Sequence, residues 1–186
     1  MKTHFKQFAE YLEQFIDEYE EYSESELGKR AMSLKAAIGI IRFDLVKNFY
    51  LFEHFPETGY EAGNGLARVK ILADQIMILL EAGDWFSKKA TIELRDIAIQ
   101  KGMPSDDFDN IARELKGIYK LSELKKYKQF RVNISAHYDL SVAEELIRLG
   151  KWNVEKFYAD TEGLIRYSSK WIEIFAKVMV FEGRRP

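Results

Sequence analysis

The chain has 186 residues, 47% hydrophobic and 31% charged, which supplies enough apolar mass for one substantial core and a length suited to one folding unit. Its 28 Lys plus Arg against 30 Asp plus Glu leave a net charge of -2, so no bulk field draws it to nucleic acid or membrane and any electrostatic role has to be local. Cysteine is absent, which excludes disulfides, thiolate nucleophiles, iron–sulfur clusters and cysteine zinc sites.

The first residues, MKTHFKQFAEYLEQF, carry charge inside an amphipathic repeat and lack the uninterrupted apolar stretch of a secretory signal, so a cytoplasmic location is expected. Phe5, Phe8, Leu12, Phe15, Ile16 and Tyr19 recur at steps of three and four, one stripe of a first helix. Ser23 and Glu26 have capping-box spacing, which predicts a second helix from near residue 24. That helix carries Leu34, Ile38, Ile41, Leu45, Phe49 and Phe52 in register and should stop before Pro56, because proline disfavours helical geometry in the residue ahead of it. PETGYEAGNG has the Gly and Asn content of a turn, with room for a short helical piece inside it, and a third helix then covers roughly 65 to 82. Its apolar window, VKILADQIMILLEA, is interrupted by Asp74 and Gln75 and is too short to span a bilayer, so it reads as a core helix and no membrane partner is expected.

Trp85 and Phe86 follow Gly83, and SKKATIELRDIAIQKG gives a fourth helix closing at Gly102. A fifth starts at Ser105, which can cap, with Asp106 and Asp107 at the positive end of the helix dipole. A sixth segment runs from about residue 121, a shorter helix can follow the Ser141 and Glu144 pair, and Asn153 opens a last helix with Phe157, Leu164, Trp171, Phe175 and Val178 in one stripe. Nothing alternates apolar and polar residues for long enough to make a strand. The expected fold is all-α: a single domain, 1–186, forming an up-and-down bundle with a four-helix core and accessory helices.

A bundle rich in carboxylates raises the question of a di-iron centre, which needs Glu-x-x-His pairs projecting inward. Leu51 stands three residues before His54 and Ile134 three before His137, and His4 lies at the terminus, so no pair exists and no metal or other cofactor is expected. Gly59, Gly63 and Gly65 lack both the spacing and the terminal Lys-Ser/Thr of a phosphate-binding loop. No serine sits on a recognisable nucleophile turn.

KKYKQFRVNISAHYD, residues 125 to 139, is different. From 116 to 131 there are six basic residues, Lys116, Lys120, Lys125, Lys126, Lys128 and Arg131, against one acid, Glu123. Tyr119, Tyr127 and Phe130 are interleaved, and cations with aromatics suit an unpaired nucleic-acid strand through phosphate attraction and base stacking. The plainer alternative is a solvated helix face with core aromatics, its lysines paired to carboxylates such as the eight between Glu10 and Glu26.

Arg131, five residues, then His137 fits the Arg-x4-6-His pattern of the HEPN superfamily, and RVNISAHYD resembles the stretch found in its abortive-infection and toxin branches. The resemblance implies a helical fold, a homodimer that brings two motifs together, and metal-independent cleavage of RNA, in a phage-defence or toxin–antitoxin setting with an antitoxin protein as a further partner. It implies that His137 acts as general base or acid around the ribose 2′-hydroxyl and that Arg131 stabilises the phosphorane-like transition state. Asn133 is a further catalytic candidate, to orient the imidazole or bond the phosphate, and Lys125, Lys128 and Tyr138 are candidates for substrate contact. Two features depart from the family pattern: Val132 occupies the position after the arginine where a polar residue is usual, and Tyr138 adjoins His137 with no residue between.

Positions six apart lie about 240° around a regular helix and about 9 Å along it, so Arg131 and His137 converge only where the helix breaks before 137 or where two subunits meet. Asn133 and His137, four apart, share a face. Two other readings stand beside the nuclease: a non-catalytic helical interaction module, and a carboxylate-bridged metal enzyme.

Overall fold

The structure is a computed structural model that describes residues 13–54, 61–128 and 154–181. Every regular element among them is helical, in the order α1 (residues 13–22), α2 (Glu26–His54), α3 (Glu61–Trp85), a π-helical turn (Phe86–Ala90), α4 (Thr91–Gln100), α5 (Ser105–Ile118), a 3-10 helix (Leu121–Tyr127) and α6 (Val154–Met179). The all-α expectation holds. In the bundle, α2 packs against α3, α4 and α6; α5 lies on α4 and α6; and the 3-10 helix lies on α3 and α6.

The stripe read for the last helix is the centre of the core: Phe157, Leu164, Trp171, Phe175 and Val178 are all buried. Leu34, Ile38 and Leu45 of α2 are buried against it, with Ile41 at the margin. Phe86 enters from the π turn, its ring stacked at 5.6 Å on Trp171 and edge-on at 5.4 Å to Tyr167. Truncating an aromatic packed in this way typically costs about 3–5 kcal/mol, so this cluster fixes where the π turn sits. Gln75, the polar interruption of α3, is fully buried and donates from Nε2 to the Leu45 carbonyl at 3.4 Å, tying α3 to α2.

Several boundaries differ from the sequence reading. The cap of α2 is Ser25 and not Ser23: Ser25 Oγ accepts from the Gly28 amide at 2.9 Å, while Ser23 Oγ turns back to the Glu20 carbonyl. α3 starts at Glu61 and takes in Gly63 and Gly65, whose helical cost of about 1 kcal/mol each is carried by the buried turns that follow. Gly83 does not end α3. The backbone stays helical through Trp85, Ala90 and Thr91, so α3, the π turn and α4 form one uninterrupted helical run. Glycine is needed at 83 for room, because a Cβ there would stand 2.5 Å from Leu124 Cδ1. Gly102 ends α4 as expected, with φ of 83°. Pro104, not Ser105, occupies the cap position of α5, and no side chain bonds there. The sixth segment, read from about residue 121, begins as a 3-10 helix, Leu121–Tyr127.

Of the first stripe, Phe5, Phe8 and Leu12 lie outside the described residues, and Phe15, Ile16 and Tyr19 are on the helix as read. Phe15 stacks on Tyr19 at 6.5 Å between centroids, yet Ile16 and Tyr19 are exposed, at 46% and 40%. A groove of about 510 Å³ separates this end of α1 from the facing surfaces of α2 and α6. Among the described residues α1 meets α2 through the Glu18–Lys35 ion pair, a contact at the helix edge that leaves Ile16 and Tyr19 uncovered.

Candidate functional site

Arg131, Asn133, His137 and Tyr138 lie outside the described residues, as do Ser141, Glu144 and Asn153. The approach to the motif is described, and it is built on one carboxylate. Asp160 occupies a core-facing position of α6, only 6% exposed, one turn beyond Phe157. Tyr119, in the link between α5 and the 3-10 helix, donates its hydroxyl to Asp160 Oδ1 at 3.0 Å. Tyr127, the last residue of the 3-10 helix, donates to Oδ2 at 2.5 Å. Lys126 closes the shell with an ion pair to the same oxygen, its ammonium also 5.0 Å from the centroid of the Tyr127 ring. A buried carboxylate requires such partners, since an isolated one loses its hydration without replacement.

The geometry around this hub leaves little slack. Tyr119 reaches Asp160 by lying across Gly163, where a Cβ would stand 2.5 Å from the ring. Tyr127 is 1% exposed and meets Phe157 edge-on at 6.4 Å. Burial, and then the Asp160 charge, push the Tyr119 hydroxyl far above the ordinary tyrosine range. Burial and then the bond to Asp160 do the same for Tyr127. Both hydroxyls therefore stay protonated and serve as donors, not as nucleophiles or bases.

This arrangement divides the basic segment. Lys126, Tyr119 and Tyr127 are consumed in holding the 3-10 helix onto α6. Lys116, Lys120, Lys125 and Lys128 are exposed, and none of the four has an ion pair among the described residues. The N-terminal carboxylates do not neutralise them there. Lys125 and Lys128 stand together beside a small depression of about 160 Å³ whose opposite wall is Asp84 and Ser87. The structure thus places the two lysine candidates beside one depression, six and three residues ahead of Arg131 along the chain.

Asp160 escaped the sequence reading, though the signal was present. Phe157, Leu164 and Trp171 define a core stripe, and Asp160 and Thr161 fall between them on the same face. A carboxylate in that register has to find donors.

Among the described residues no three His, Asp or Glu side chains converge as metal ligands would, so the carboxylate-metal alternative has no centre there. Among the same residues no helix is long and apolar enough to cross a membrane. Compared with known proteins, the chain matches no family model, no curated protein and no solved structure.

Proposed function

We propose that the chain is a metal-independent endoribonuclease of HEPN type, working as a homodimer in a phage-defence or toxin–antitoxin setting. The observation that carries the reading is the join between motif and scaffold: Arg131 and His137 follow, within ten residues, a 3-10 helix fixed to the core by Asp160 with Lys125 and Lys128 turned to solvent. Cations held on a rigid element position a phosphodiester better than cations on a freely moving loop. His137 takes the proton from a ribose 2′-hydroxyl as its oxygen attacks phosphorus. The bond to the 5′-oxygen breaks, that oxygen takes a proton from solvent water, the His137 imidazolium returns its own proton to solvent, and a 2′,3′-cyclic phosphate remains. Arg131 holds the negative charge that builds on the phosphoryl oxygens, which a guanidinium can grip with two donors. DNA, lacking the 2′-hydroxyl, is not a substrate.

A second copy has a surface to meet. Ile40, Phe43 and Tyr50, each at least 60% exposed, line one side of α2. The same row supports the runner-up, a non-catalytic interaction module bound by an antitoxin protein or other partner, so dimerisation alone does not separate the two.

Purified protein incubated with RNA in excess chelator separates them. Cleavage to cyclic-phosphate ends that is lost in both Arg131→Ala and His137→Ala is the expected result. Cleavage that persists in His137→Ala rejects the assignment, and stable dimers with no cleavage and no RNA affinity transfer the conclusion to the interaction module.

A further inference from the structure

A cleft of about 590 Å³ lies between the first half of α2 and the π turn with the start of α4. That volume is within the range that encloses small ligands, about 300–1,000 Å³. Lys29 and Arg30 project from α2, and Trp85, Lys88, Lys89 and Glu93 face them. We propose that this cleft binds a nucleotide unit of single-stranded RNA, with Trp85 as the stacking surface for a base and Lys29 and Lys89 as the groups that hold the flanking phosphates. The identification of the strand as RNA rests on the ribonuclease reading; the chemistry of the cleft does not.

The charges there are unequal in their availability. Arg30 Nε is bonded to Glu93 Oε1 at 2.6 Å and its Nη2 is 3.7 Å from Asp96. Lys88 is paired with Asp84 at 3.0 Å. Lys29 and Lys89 are both exposed, with no ion pair among the described residues, and the remaining acid of the lining, Glu26, makes none either. A ring of fixed pairs flanked by two unspent ammonium groups suits an anion entering from solvent.

The π turn sets the wall. A π turn inside an α-helix widens the backbone by one residue and strains its bonding, and such turns recur at functional sites. Here Thr91 Oγ1 donates to the Phe86 carbonyl at 2.9 Å, supplying a partner at the widened turn. Consecutive aromatics part ways across it: Phe86 is fully buried, while Trp85 is half-buried and lines the cleft. The Phe86 ring meets the indole in a T-shaped pair with centroids 5.2 Å apart, so Trp85 is held against the buried Phe86 while it lines the cleft. Ile92, 62% exposed at the rim, adds apolar surface beside it. An acidic peptide would use the lysines but has no need of the indole, and the combination favours a base with its phosphates.

The same turn joins this cleft to the approach to the motif. Asp84 and Ser87 form the far wall of the depression beside Lys125 and Lys128, whereas Trp85, Lys88 and Lys89 look into the cleft. The two depressions thus lie on either side of the one turn that runs from Asp84 to Lys89.

The test is binding of a fluorescein-labelled 2′-O-methyl oligouridylate of twelve nucleotides, which cannot be cleaved, to the full chain by anisotropy at low salt with chelator. Lys29→Glu and Lys89→Glu should each weaken binding about tenfold and flatten its salt dependence, and Trp85→Leu should weaken it about tenfold with little change in salt dependence. Arg113→Glu, an equal charge reversal at an exposed position of α5, should change it less than about twofold. Undiminished binding in the two lysine variants overturns the proposal, whether or not Trp85→Leu folds. Equal affinity for uridine monophosphate overturns the strand assignment, and equal competition by polyglutamate overturns the nucleotide assignment. Strand binding through the cleft without cleavage of ordinary RNA removes the catalytic reading and leaves this one standing; cleavage with an unchanged KM in the cleft variants does the reverse.

Discussion

Around Asp160, two tyrosines and a lysine turn inward onto one carboxylate; around Trp85, Lys29 and Lys89 remain turned to solvent beside an aromatic face. Both regions combine lysine with aromatic side chains, the composition that suits a nucleic-acid strand, and only one leaves them available. A core-facing acid decides which. Asp160 converts its share of the basic segment into an anchor, whereas Glu93 of the cleft and Asp84, which holds Lys88 from the other side of the turn, sit at the surface. Proximity of lysine and tyrosine in sequence therefore says less about binding than the register of the nearest carboxylate.

The comparison breaks hardest at the carboxylate itself. Asp160→Ala leaves two buried hydroxyls without their acceptor and the Lys126 ammonium without its counter-ion, and should cost about 3–5 kcal/mol of stability in urea unfolding. Asp160→Asn keeps one acceptor and should cost less. If Asp160→Ala unfolds within 1 kcal/mol of the parent, roughly the value of a surface pair, the anchor is not one.

Alkali sharpens the same contrast. The folded pKa values of Tyr119 and Tyr127 are raised by burial first and by Asp160 second. Below about pH 10 both folded and unfolded chains keep these protons and the contribution is whole. As pH rises past that point the unfolded chain releases protons that the folded chain retains, so stability falls by about 1.4 kcal/mol per pH unit for each tyrosine. Tyr167, also raised by burial, adds to the slope. Denaturant unfolding between pH 9 and 11 should show Tyr119→Phe and Tyr127→Phe each removing one share of the dependence; an unaltered slope contradicts the buried bonds.

The periodicity of α2 and α6 was legible because apolar side chains at steps of three and four must share a face, and Leu34, Ile38, Phe157, Leu164 and Trp171 are buried accordingly. The stop at Gly102 was legible because a positive φ is cheapest without a Cβ. Gly83 misled because the same residue also admits a close neighbour, and nothing local to it announces Leu124, which lies 41 positions on. The Asp160 hub joins residues from 119 to 160, and the cleft joins Lys29 to Lys89. Such groupings arise only when helices distant in sequence are laid side by side. For the motif, sequence supplied the residues and their spacing, and Lys125 and Lys128 are the two candidates whose positions the structure adds.

Two glycines test the packing half of the comparison at a smaller scale. Gly163→Ala drives a methyl against the Tyr119 ring at 2.5 Å, and moving the ring stretches its bond to Asp160, so a loss of about 1–3 kcal/mol is expected. Gly39→Ala, on the exposed side of α2 with nothing within 4 Å, should instead stabilise by about 0.5–1 kcal/mol through helix propensity. Thermal unfolding of the two variants should move in opposite directions.

The smallest stability effect carries information about the cleft. Glu93→Gln removes the acid that holds Arg30, whose guanidinium is raised in pKa chiefly by that bond. Both side chains are partly exposed, so solvent screens the pair and Tm should stay within about 3 °C. The charge of the cleft nevertheless rises by one, and a guanidinium left with only the longer contact to Asp96 is freer to turn to a phosphate. Oligouridylate affinity should therefore increase several-fold at low salt and return toward the parent value as salt screens the added charge. A structural role for Glu93 alone predicts no gain, because loosening Arg30 would then only blur the cleft wall; tighter binding from the loss of a hydrogen bond is a result that only an anion site produces.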